Sequence, residues 1–211
     1  MKSPRLEYQK MFAKGRVVNI GCGDNPAGFG PDTVQVDYDL YNYPNFVQAD
    51  AHNLPFKDDE FDTAVLGDIL EHSPDPVKML SEAGRVAKKV VATIFEEWRH
   101  VGKSTEERIE IAKEELREMG FNTLGEYYRS LPAYKDNIVS VKDDSEIPHH
   151  YHIQNFTDGD IFDMVKKAGL EFEIYHKFRE GVHEGKQWYN WVVVAKKAGV
   201  DVPRGTQDII P

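Results

Sequence analysis

The spacing of apolar and polar positions changes along the chain, and its period predicts the elements. Between Pro4 and Lys14, Tyr8, Met11 and Phe12 recur at helical spacing, so a short amphipathic helix leads in and Gly15 ends it. From Arg16 to Ile20 the run turns apolar and β-branched, as a buried strand does. Thr33–Asp37, Asn45–Asp50 and Asp62–Asp68 repeat one design, a short β-rich run that finishes on a carboxylate. Helical spacing returns in Val77, Leu80, Ala83, Gly84 and Val86, behind Ser73-Pro74-Asp75-Pro76, where Asp75 is placed to cap the N-terminus. Val90–Phe95 is apolar apart from Thr93, which suits a central strand covered on both faces. Strands alternating with helical stretches predict an α/β class built on a mostly parallel sheet.

After the fifth strand the alternation is interrupted. Residues 99–155 read as a helical insert or lid within one domain of residues 1–211. In it, Ser104-Thr105-Glu106-Glu107 forms a capping-box pattern, followed at helical spacing by Ile109, Ala112, Leu116 and Met119. Thr123 to Leu131 suggests a second helix that Pro132 breaks. Phe156-Thr157 then opens a helix to Ala168-Gly169, and Leu170–Tyr175 and Trp188–Ala195 read as two closing strands. Residues 200–211 have no periodicity and predict a flexible tail.

The ends of the strands carry the candidate chemistry. The first strand runs into Gly21-Cys22-Gly23, a turn that lets a ligand approach the backbone. The next glycine is Gly28, so the dinucleotide fingerprint fails at its third position. In open α/β sheets ligands sit beyond the carboxyl ends of the strands, so Asp37, Asp50 and Asp68 would converge on one crevice beside that turn. Any one of these acids could be a turn or cap residue. Three in corresponding positions favour a site.

Charge and composition narrow the partners. With 36 acids against 26 bases the formal charge is −10, and the basic residues are scattered, which opposes nucleic-acid binding. No run of about 18 apolar residues exists, so no membrane span is expected. The start lacks an apolar signal core, and the single cysteine, Cys22, excludes an internal disulfide and a Cys-rich metal site. A cytoplasmic setting is the expectation.

Taken together, Val18-Asn19-Ile20-Gly21-Cys22-Gly23-Asp24-Asn25-Pro26, Val36-Asp37, Ala49-Asp50-Ala51-His52-Asn53-Leu54-Pro55-Phe56, Glu60-Phe61-Asp62 and Leu70-Glu71-His72-Ser73-Pro74-Asp75-Pro76 resemble class I S-adenosylmethionine-dependent methyltransferases, closest to the type 11 group. The resemblance implies a Rossmann-like seven-stranded sheet of order 3-2-1-4-5-7-6, with the last two strands as an antiparallel hairpin. It implies S-adenosyl-L-methionine as cofactor and transfer of its methyl to oxygen or nitrogen of a small-molecule acceptor. Gly21, Cys22 and Gly23 would pass beside the methionine and ribose, and Asp37 would bond the ribose hydroxyls. Tyr38 would pack on adenine or ribose. Asp50 would accept from the adenine amino group, the Ala51 amide would donate to a ring nitrogen, and Gly67 and Asp68 would line the methionine side. Asn19 stands where the family usually carries an acid, so a carboxylate contact there becomes an amide one.

Methyl transfer gains most from alignment and needs a base only when the nucleophile must lose a proton. His72, just past the fourth strand, and His150, in a segment returning to the crevice, are the candidate bases. His150 and His152 alternate as on a strand, but with no cysteine and no evident third ligand beyond His149 or an acid the set does not define a metal site. Tyr127, Tyr128 and Tyr134 are the insert's candidate substrate contacts. The connections from Ile20 to Thr33 and from Asp39 to Asn45 leave little room for crossover helices. The sheet face near strands two and three is therefore expected to be covered by the N-terminal segment or by a second copy in a homodimer. Two other readings remain: a non-catalytic cofactor-binding scaffold, and a nicotinamide-dependent oxidoreductase, which shares the glycine loop and the acid after strand two but does not explain Asp50-Ala51.

Overall fold

A computed structural model describes residues 3–23, 28–96, 102–123, 126–127, 130, 138–140, 152–183 and 186–199. His150, Tyr128, Tyr134 and the 200–211 tail lie outside them. The described elements are α1 (Pro4–Phe12), β1 (Val17–Ile20), β2 (Val34–Asp37), β3 (Leu40–Tyr41), β4 (Phe46–Gln48), β5 (Phe61–Gly67), a 3-10 turn (Leu70–His72), α2 (Pro76–Val86), β6 (Ala87–Phe95), α3 (Thr105–Glu118), β7 (Ile138–Ser140), α4 (Asp158–Lys167), β8 (Leu170–His183) and β9 (Lys186–Lys197). No helix among the described residues is long and apolar enough to cross a membrane.

The main sheet has the order β4-β2-β1-β5-β6-β9-β8. Counting only these seven strands along the chain, this is 3-2-1-4-5-7-6. β3 and β7 lie outside it as a separate antiparallel pair that the apolar pattern did not reveal, being two and three residues long. Ile20 is level with Val36 on one side and Leu66 on the other, all in parallel pairs, so their carboxyl ends open at one edge. β9 runs antiparallel to both β6 and β8. The closing strands extend well past the predicted limits. Polar residues from Lys177 onward still alternate along the hairpin arms, and that alternation is weaker in the sequence than the apolar runs it follows.

Successive residues of the central strands enter different cores, as the pleat requires. Leu66, Ala92 and Val193 pack with Leu80 and Ala83 of α2 and with Ile161 and Val165 of α4. Val65, Val91 and Val192 pack on the other face with Tyr8, Phe12 and Ala13. The N-terminal segment thus covers a sheet face, but over β5, β6, β8 and β9 rather than over β2 and β4. On that face of β1 and β2, Asn19 Nδ2 donates to Gln35 Oε1 at 2.8 Å, a bond between two buried amides.

The caps follow the sequence signals. Asp75 accepts from the Lys78 amide at 3.0 Å, and Ser104 and Glu107 form the full capping box of α3. Thr157 and Asp160 form a second one for α4. Leu80 is 1% exposed between α2 and the sheet. Leu80→Ala is expected to destabilise the fold by about 2–5 kcal/mol in urea unfolding, and a loss under about 1 kcal/mol would contradict this packing.

Candidate functional site

The turn after β1 is built by backbone bonds to β2. The amides of Gly21 and Cys22 donate to the Val36 carbonyl at 2.8 and 3.0 Å. Gly21 has φ +69°, and a β-carbon on it would stand 2.0 Å from Ile69 Cδ1, so glycine alone lets Ile69 close against the turn. The Gly23 amide donates to Asp37 Oδ2 at 2.9 Å, while Asp37 Oδ1 accepts from the Asp39 amide at 3.1 Å. The Asp37 carboxylate is therefore oriented by two fixed donors before any ligand arrives.

Beside this turn lies a cavity of about 450 Å³. Gly21, Asp37, Tyr38, Asp50, Ala51 and His72 line it, together with apolar Ile20, Val36, Ile69 and Met79. Asp50 Oδ1 accepts from both the amide and Nδ1 of His52, at 2.8 and 2.7 Å. His52 Nε2 meets Ser73 Oγ at 2.7 Å. The spacing copies that of a Ser-His-Asp array, but Ser73 is buried and its Oγ also accepts from the Asp75 amide at 3.1 Å. The string braces the loop after β4 against the start of α2. Burial pushes the Asp50 carboxyl up, but the His52 amide and ring outweigh it and hold it below the ordinary carboxylate value.

Asp68 and Gly67 are placed differently. Neither is among the residues lining the cavity. Asp68, at φ +51°, accepts from Arg5 Nη1 at 2.6 Å and from Asn190 Nδ2 at 3.1 Å, which pins α1 to the end of β5. Burial opposes the Arg5 charge, and Asp68 more than offsets it, so the guanidinium stays more firmly protonated than usual. A β-carbon on Gly67 would stand 2.7 Å from Gln9 Nε2, which donates to Thr93 Oγ1 at 2.9 Å. That glycine makes room for the N-terminal helix.

Next to Asp68 lies Glu71, 0% exposed, with Oε1 accepting from the Phe95 amide at 3.3 Å. Burial, then the nearby Asp68 charge, raise its carboxyl well above the ordinary value. His72 meets His152 edge to face, their ring centres 4.6 Å apart.

Of the sequence-predicted cofactor residues, the fold brings Gly21, Asp37, Tyr38, Asp50 and Ala51 to one cavity, with His72 on its wall. Gly23 and Cys22 belong to the turn above it, and the Asn19 side chain is directed to Gln35 instead. Sequence reasoning missed His52, Ser73, Arg5 and Glu71. His52 and Glu71 lie inside the quoted motifs, and their short spacing to Asp50 and His72 was the available signal. Arg5 had none, since its partner is 63 residues away.

A seven-stranded Rossmann-like sheet with an acid-flanked crevice at its carboxyl edge defines a cofactor-dependent α/β enzyme fold. Comparison with known proteins is consistent with that class. Residues 30–95 match the family described as a methyltransferase domain. Over 149 residues the chain is 33% identical to an uncharacterized protein of Methanocaldococcus jannaschii, covering 58% of this chain and 72% of that one. It is 35% identical over 74 residues to the demethylmenaquinone methyltransferase of Staphylococcus saprophyticus, covering 35% of this chain and 30% of that enzyme. In fold it is similar to the 1,6-didemethyltoxoflavin-N1-methyltransferase of Burkholderia thailandensis, which holds 1,6-didemethyltoxoflavin and S-adenosylhomocysteine. The TM-score is 0.56 at 15% identity, over 92% of this chain and 76% of that one. The methyltransferase-domain match covers residues 30–95, and over nearly the whole chain the fold is the one such enzymes use.

The lowered value at Asp50 fixes a sign. Ionised Asp50 contributes stability above its unfolded value near about 4 and loses it as pH falls through the lower folded value. The stability gap between wild type and Asp50→Asn in urea should be constant above about pH 5 and shrink below about pH 4. A gap that does not change with pH would contradict the His52 bonds.

Proposed function

We propose that the cavity beside the glycine turn holds S-adenosylmethionine and that the chain transfers its methyl to an oxygen or nitrogen of a small-molecule acceptor. The observation that carries this reading is that Asp37 and Asp50 flank one largely apolar cavity, each with its carboxylate already fixed by protein donors. The donor set suits an adenosine. Asp37 accepts from the two ribose hydroxyls, a pair that one carboxylate can bond at once. Asp50 Oδ1 is taken by His52, and Oδ2 accepts from the adenine amino group. The Ala51 amide donates to a ring nitrogen, and Tyr38, Ile20 and Val36 exclude water from the base and ribose. The Gly21–Gly23 backbone borders the methionine end.

The cofactor supplies an electrophilic methyl on a sulfonium, and the chain's task is to hold donor and acceptor in line. His72 walls the end of the cavity where an acceptor would approach. In the described part of the 99–155 insert, Leu116 of α3 packs against Ile153. The acidic net charge and the modest cavity favour a small molecule over a polyanion.

Calorimetry with S-adenosylhomocysteine tests the assignment. Asp37→Ala and Asp50→Ala should each weaken binding by about 1–3 kcal/mol, the scale of a buried hydrogen bond to a charged group. Wild-type affinity in both variants would overturn it. A protein that binds this product but turns over none of a broad acceptor panel would instead be a cofactor-binding scaffold.

A further inference from the structure

Beyond the cofactor cavity, one side chain is left in an unusual state. Glu71 is fully buried and its Oε2 has no hydrogen-bond partner. A buried carboxylate oxygen without a partner is costly, and native proteins rarely keep one without a reason. One ligand atom from each of Glu71, His72 and His152 lies within 4.8 Å of the others. A carboxylate oxygen of Glu71 therefore lies within 4.8 Å of an imidazole nitrogen of each histidine.

The residues around the trio hold it in place. Glu71 and His72 belong to the same 3-10 turn. The segment carrying His152 is tied to that turn, since the Gln154 amide donates to the Glu71 carbonyl at 2.9 Å and Gln154 Nε2 to the Ser73 carbonyl at 3.1 Å. Thr105 at the start of α3 donates to the Ile153 carbonyl at 3.0 Å, bracing the segment from the other side. The Phe95 ring packs 4.9 Å from that of His152, shielding this side from water.

We propose that Glu71, His72 and His152 bind one divalent transition-metal ion of the zinc, manganese or iron type. Two imidazoles and a carboxylate are the donor set such ions take, whereas calcium and magnesium favour oxygen alone. Three donors each about 2.1 Å from one ion lie about 3.0–3.6 Å apart. The trio therefore has to draw in by up to about 1–2 Å to close on it. Three protein ligands leave coordination positions for water or an acceptor oxygen, and a bound hydroxyl would lose its proton more readily there. Because His72 also walls the cavity, those positions adjoin the proposed site of transfer. This last placement rests on the cofactor reading above, while binding of the ion does not. As a ligand, His72 ceases to be a candidate base.

The test is metal binding by the full chain stripped with chelator, titrated with cobalt(II) by visible absorption and with zinc(II) by calorimetry. Wild type should take up one equivalent saturably. Glu71→Gln and His152→Ala should each weaken binding at least about tenfold, as loss of a ligand or its support does. His176→Ala, on β8 away from the trio, should bind as wild type. If Glu71→Gln does not fold by circular dichroism, His152→Ala decides. No saturable uptake by wild type, or unchanged affinity in His152→Ala, overturns the proposal. Parallel S-adenosylhomocysteine titrations separate the two readings. Product binding without metal uptake removes only the ion, and metal uptake with product binding indifferent to Asp37 and Asp50 removes only the cofactor assignment.

Discussion

Three amides tie the turn after β1 to β2: Gly21 and Cys22 to the Val36 carbonyl, and Gly23 to the Asp37 carboxylate. The crevice depends on this knot. It stops β1 and β2 at the same level, bends the chain away so that a cavity opens, and orients Asp37 in the same step. The left-handed conformation at Gly21 makes the bend possible, and Ile69, packed where a side chain would otherwise stand, joins the turn to the segment after β5. A ligand reaching this cavity meets polar groups whose positions are already fixed, which lowers the ordering cost of binding.

A second knot lies on the far side of the β5 end. Arg5, Asp68 and Asn190 come from the first helix, the fourth strand of the main sheet and the last strand, and they meet over the buried Glu71. Burial and the Asp68 charge raise the cost of ionising Glu71, and the Arg5 cation offsets part of it. Arg5 answers Asp68. Glu71 keeps an oxygen without a partner, and its carboxyl lies within 4.8 Å of the two histidines' ligand nitrogens. The chain has thus placed its buried acid at the strand ends rather than in the sheet core, where Leu66, Ala92 and Val193 carry no polar atoms in their side chains.

Much of this was legible locally. Caps at Asp75, Ser104 and Thr157, the β-branched runs and the carboxylates ending them are signals confined to a few residues, and the structure keeps each of them. The crevice acids could be read because a parallel sheet converts a repeated local pattern, strand then acid, into a spatial cluster. Asp68 shows where that inference stops. Its place at the strand end was legible, but the direction of its carboxylate was not, because Arg5 and Asn190 are 63 and 122 residues away. Gly67 resembles a cofactor glycine in sequence and accommodates Gln9 in the fold.

The sequence by itself determined the class of fold, the glycine turn, and three strand-end acids beside it, two of which, Asp37 and Asp50, the fold keeps there, since each depends on local conformation and on the geometry common to parallel sheets. Tertiary structure alone decided that His152 approaches Glu71 and His72, that Asp68 is drawn to the first helix, and that Asn19 bonds Gln35 on the opposite face. Those contacts join segments with no shared period. They follow from which faces pack together, and neighbouring residues carry no record of that.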